Sequence, residues 1–136
     1  MICDPWDVVV VPFPFTEKAG VKRRPALALS SRGFNEKGHT ILAMITTKSH
    51  FPWPGDRPIA DLAAAGLHAP CIVRLKLFTL DNSLFIRHSG RLSEEDRKAV
   101  AETLYTHLLL SPAKERRCMQ RLYLGLSAAK ICFAPT

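Results

Sequence analysis

Apolar residues in this chain fall into short blocks separated by polar, Gly- and Pro-containing gaps. Asp7–Pro12 holds four consecutive valines, which predicts a strand buried on both faces rather than one that alternates cleanly. Pro12 and Pro14 end it, and Phe13 and Phe15 supply bulky apolar cover. Residues 16–22 form a polar loop, read equally well as a connector or as a flap over Arg24, close to which it ends. Pro25–Ser30 and Thr40–Thr46 flank a polar, Gly-containing gap, the pattern of a hairpin. Three prolines and a glycine across 49–58 exclude a central strand or helix there. Trp53, between two of those prolines, reads as a packing or partner-binding aromatic.

Further along, Pro58–Ala60 reads as a short edge strand and Asp61–Gly66 as one helical turn closed by its glycine. Pro70–Leu75 is a strand that Lys76–Leu80 either continues or follows as a bent neighbour. Asp81 and Asn82 form a turn, and Leu84–Ile86 a strand broken by His88–Gly90. Ser93 fits a helix N-cap, with Asp96 at the return position of a capping box and three acids in the positive first turn. Val100, Leu104 and Leu108 make the buried stripe of that helix, widened by Leu109 and Leu110. Ser111-Pro112 interrupts. A second helix follows, with Met119, Leu122, Leu126 and Phe133 on its apolar side and Arg116, Arg117 and Arg121 facing solvent. Five or six short strands closed by one amphipathic helix predict a small, curved antiparallel sheet or partly closed barrel.

The hairpin carries the candidate chemistry. If its strands pair with Ser30 opposite Thr40, Arg24 and Thr46 sit across from each other on one face, and Arg23 and Thr47 on the other. A guanidinium and a hydroxyl with Cβ atoms about 5 Å apart make a small anion site.

Composition narrows the partners. A chain of 136 residues, 47% hydrophobic, is one domain with a real core. The formal charge of +7 favours an acidic partner, nucleic acid or an acidic protein. Residues 1–111 carry 14 Lys/Arg against 11 Asp/Glu, whereas residues 112–136 carry 5 against 1. We therefore expect a domain over 1–111 and a basic, helical extension over 112–136. Cys3, Cys71, Cys118 and Cys132 show neither CxxC pairing nor His at zinc spacing, so neither a metal site nor a disulfide framework is expected. Nothing resembles a leader peptide, and no apolar run approaches the roughly 18 residues of a membrane span. A cytosolic protein with reduced thiols and no membrane partner is the expectation.

The blocks WDVVVVPFPFTEK, KRRPALALS, ILAMITT, AGLHAPCIVRLKLFTLD and GRLSEEDR, in this order and spacing, resemble the MazF/PemK toxins of type II toxin–antitoxin systems. The resemblance covers roughly residues 6–110. It implies an SH3-like barrel with a C-terminal helix, usually a homodimer. It implies a metal-independent, cofactor-free, sequence-selective endoribonuclease that cuts single-stranded RNA, neutralised by a co-expressed antitoxin with an acidic tail. Operator DNA would be reached only through the antitoxin. The family's catalytic Arg precedes the Pro of an RP motif, which here is Arg24. Its catalytic Ser/Thr closes a strand after Ile, which here is Thr46. Two departures stand out: the Gly that commonly precedes Asp7 is Trp6 here, and the chain after Leu110 has no counterpart.

Lys22, Arg23, Thr47, Lys48 and Lys76 flank or adjoin the hairpin mouth and are the expected RNA contacts. Phe13, Phe15 and Trp53 offer stacking surfaces, although core packing suits the two phenylalanines better. His50 and His88 read as surface or packed residues rather than catalytic ones. Asp7 and Asp81 read as structural. The competing reading is a non-catalytic, protein-binding toxin of the same fold, like the CcdB-like gyrase inhibitors; such a protein has no need of an anion site at Arg24.

Overall fold

The computed structural model describes residues 1–13, 22–47 and 51–109. Within them six strands form one antiparallel sheet that curls into a half-barrel: β1 (Asp7–Pro12), β2 (Arg23–Ala28), β3 (His39–Thr47), β4 (Arg57–Pro58), β5 (Cys71–Asp81) and β6 (Arg87–Arg91). Their spatial order is β4-β5-β3-β2-β1-β6. Three short helical segments interrupt them: α1 (Arg32–Asn35), α2 (Leu62–Ala65) and a 3-10 turn at Asn82–Leu84. The helix α3 (Glu94–His107) closes the fold. This is the mainly β, SH3-like architecture with a C-terminal helix expected from the sequence. The extension at 112–136 and the loop at 14–21 lie outside the described residues.

Both faces of the sheet are buried, which is why β1 is nearly all valine. On one face Val8, Leu27, Ala43, Ile45 and Val73 pack with Trp6, Leu92 and Val100 of α3. On the other, Val9, Val11, Ala26, Ala28, Leu42 and Phe78 pack with Cys3 and Phe13. Trp6 has φ 75°, the left-handed region that favours glycine. Here the strain, about 1–2 kcal/mol, is offset by burying an indole in the α3-side core.

Local signals set several ends as expected. Ser93 accepts from the Asp96 amide at the start of α3, and Asp61 and left-handed Gly66 bracket α2. Glycine is required where α2 meets β6, because a Cβ on Gly66 or Gly90 would overlap the backbone of Ser89 or Ala64.

Other expectations are corrected. Leu84–Ile86 is not a strand; the strand is Arg87–Arg91, the segment expected to break it. The 3-10 turn, capped by Asp81, uses Asn82–Leu84, and pairing with β1 starts only where the Ile86 amide donates to Val10. The hairpin gap contains α1, capped by Ser31 and held by the fully buried Asn35, whose amide donates to Cys3 O and Ser30 O. Pro58–Ala60 shifts to an edge strand at Arg57–Pro58. β5 is one strand with a register shift opposite Ala43 and Met44. The stripe on α3 stops short: Leu108 and Leu109 are exposed beyond the helix end. Asp96 reaches further than a capping box, its carboxylate accepting from Ala60 N (2.9 Å) and Asp61 N (3.0 Å) and so pinning the chain ahead of α2.

Candidate active site

β2 and β3 pair as Ala26↔Met44, Leu27↔Ala43 and Ala28↔Leu42, the register expected from the sequence. Pro25 has no N–H to donate, and the ladder stops at Ala26. Continued by two residues, the register sets Arg24 across from Thr46. Alternation from Ala26 and Met44 puts both on the face away from α3. Each is also held from its outer side, Arg24 by Val11 of β1 and Thr46 by Ile72 of β5. Both are half-buried.

The Arg24 guanidinium lies 5.7 Å from the centroid of the Phe13 ring. Phe13 is buried and meets Phe78 edge-on at 5.5 Å, so the platform under the cation is rigid. The Nε of Arg24 is buried and, among the described residues, has no hydrogen-bond partner. A buried donor left unpaired costs free energy. A planar, permanently charged fork with an unused N–H is short of an acceptor, and a phosphate oxygen supplies one.

The other expected residues distribute around this pair. Lys22, Arg23 and Thr47 are exposed, with Arg23 and Thr47 in phase with the α3 face. Lys76 is half-buried in the irregular stretch of β5, in phase with Phe78. Lys48, His50 and Phe15 lie outside the described residues. Phe13 is a core residue. His88 pairs across from Val9, and its Nε2 lies 3.4 Å from the carboxylate of Asp7. That buried carboxylate also accepts from the Asp4 amide and faces Arg91 at 3.6 Å, a structural role. Asp81 caps the 3-10 turn, and the Ser83 amide it accepts from holds its carboxyl below the usual range. Among the described residues no group of His, Cys, Asp and Glu is placed to hold a metal ion.

Sequence reasoning missed Arg74 and Asp56. Arg74 is the cross-strand partner of Met44, hence on the Thr46 face. Its Nε and Nη2 donate to the two carboxylate oxygens of Asp56 at 3.2 and 3.0 Å. A charge inside the apolar run PCIVRL was the available signal, since a buried guanidinium needs a partner.

Residues 4–108 match the family model described as PemK-like, MazF-like toxin of type II toxin–antitoxin system. No curated protein sequence matches the chain. Solved structures with the same fold include a MazE–MazF complex from Deinococcus radiodurans, at 19% identity and TM-score 0.66, covering 82% of this chain and 99% of that one. The Mycobacterium tuberculosis toxin MazF-mt6 is 22% identical with TM-score 0.60, covering 74% and 93%. An endoribonuclease in complex with its cognate antitoxin, from a mycobacterial species, is 16% identical with TM-score 0.62, covering 81% and 99%. With the family model spanning most of its length and the fold agreeing, this chain belongs to the PemK/MazF family of type II toxins.

Proposed function

We propose that the protein is a metal-independent, sequence-selective endoribonuclease that cuts single-stranded RNA in the cytoplasm, acts as a homodimer and is silenced by an acidic antitoxin. The observation that carries this reading is Arg24: a half-buried cation in register with a threonine, with a buried Nε that lacks an acceptor. The structural relatives described as an endoribonuclease with its cognate antitoxin and as a MazE–MazF complex support it at the level of the family.

In the reaction the RNA's 2′-oxygen forms a bond to the adjacent phosphorus, and the bond from phosphorus to the 5′-oxygen breaks. The products are a 2′,3′-cyclic phosphate and a free 5′-OH. Arg24 grips two phosphate oxygens and stabilises the charge of the phosphorane. Thr46 donates a hydrogen bond to a non-bridging oxygen. Arg24 also donates to the departing 5′-oxygen. A guanidinium presents N–H donors and no acceptor, so the 2′-OH proton needs another base. Lys22, Arg23, Thr47, Lys48 and Lys76 hold the flanking phosphates, a contribution that weakens with salt. The basic extension at 112–136 adds non-specific attraction of the same kind.

The test is cleavage of a defined single-stranded RNA pool in EDTA, with the ends sequenced and their chemistry determined. Cyclic phosphate ends that Arg24→Ala abolishes are expected. Wild-type protein that leaves every RNA intact overturns the proposal and favours the protein-binding alternative.

A further inference from the structure

The loop before β4 is folded around Arg74. The Arg74 guanidinium forms two parallel bonds to Asp56, and its Nη2 also donates to Phe51 O at 3.1 Å. Its Cζ lies 5.8 Å from the centroid of the Trp53 ring. The Trp53 amide donates to the Asp56 carboxylate at 2.9 Å, and the Asp56 amide donates back to Trp53 O at 3.1 Å. Trp53 is thus fixed twice, through its backbone and through its ring. The clamp is largely buried, with side-chain exposures of 12% for Arg74 and 16% for Asp56, yet Trp53 remains 41% exposed. An indole held this firmly and left open to solvent is a surface prepared for a flat partner.

We infer that Trp53, held by Arg74 and Asp56, is a stacking platform for an RNA base next to the scissile phosphate. This inference rests on the nuclease reading above. Arg74 pairs with Met44, Met44 pairs with Ala26, and Arg24 lies two residues along from Ala26 on the same face. Two strand spacings and two residues of rise put the Arg74 and Arg24 backbones about 12 Å apart. That sets the clamp that carries Trp53 on the same sheet face as Arg24, within reach of a strand of RNA bound there. The carboxylate of Asp56 neutralises the Arg74 charge, so the platform offers an acidic peptide little attraction, whereas every base has a face to stack. Because ring and loop are already ordered, stacking costs little conformational entropy.

The chain has two tryptophans, and the other, Trp6, is buried. RNA-dependent quenching of tryptophan emission therefore reports on Trp53. The probe is a short single-stranded oligoribonucleotide of randomised sequence, 2′-O-methylated throughout so that it cannot be cleaved. Wild type is expected to bind it with quenching, and Arg24→Ala, which loses the phosphate grip, to bind more weakly but with the same quench at saturation. Trp53→Ala is expected to weaken binding by about 5- to 100-fold, with a matching rise in KM on cleavable RNA. Trp53→Phe should keep most of the affinity while losing the quench. Quenching without cleavage by wild type leaves the platform standing and removes the nuclease. Cleavage with the same KM in Trp53→Ala does the reverse. An acidic antitoxin peptide that quenches Trp53 where the RNA does not overturns the inference.

Discussion

Arg24→Ala separates a functional residue from a structural one by magnitude. In the folded chain the buried, unpartnered Nε of Arg24 costs about 1–3 kcal/mol. The guanidinium over Phe13 returns about 0.5–2 kcal/mol. Losing the packed aliphatic stem costs roughly another 1 kcal/mol. These terms nearly cancel, so the variant should unfold in urea within about 2 kcal/mol of wild type, a shift of several degrees in Tm. Its cleavage rate should fall at least 10²- to 10³-fold, because the donors to the phosphorane are gone. Arg24→Lys, which keeps the charge and loses the planar fork, should fall between. Single-turnover cleavage of an end-labelled RNA and urea titration of the same preparations give both numbers. A variant that cuts within a few-fold of wild type refutes the catalytic role. So does one that loses more than about 3 kcal/mol of stability, since Arg24 would then be holding the fold.

Thr46→Val keeps the branched shape and removes the donor; single-turnover cleavage should fall about 10²-fold or more, while Thr46→Ser retains most of it. Asp96→Ala strips the acceptor from two backbone amides and the Ser93 hydroxyl, and urea denaturation should show a loss of about 2–4 kcal/mol, with RNA binding by the folded fraction unchanged. Burial, reinforced by the nearby Asp7 carboxylate, pushes the Cys3 thiol from 9.0 to about 11. The neutral thiol is the form the fold favours, so this contribution to stability is complete below pH 9.0 and is lost as the pH rises through about 11. At pH 8 Cys3 should therefore resist iodoacetamide in the native protein and react on unfolding, as followed by mass spectrometry of the peptide.

The expected strand register between β2 and β3 was legible because each of its causes is local. Period-two alternation fixes which face each residue takes, and one short gap fixes the pairing. The α3 N-cap and the α2 glycine were legible for the same reason: a side chain or a φ angle satisfies the backbone a few residues away. The same register, read from the linear chain, sets Arg24 across from Thr46. β6 was misread because its residues are polar and glycine-containing; they form a strand only because β1 offers an edge and α2 needs room to pack.

Sequence alone determined the apolar strands β1, β2, β3 and β5, the capped helix and the basic character of this protein, since these follow from the chemistry of neighbours. Tertiary structure alone decided that Arg74 meets Asp56 and Trp53, that Asn35 ties α1 to Cys3, and that Arg24 rests on Phe13 with an N–H to spare. Each of these joins residues far apart in the chain, and long-range contacts leave no period in the sequence to read.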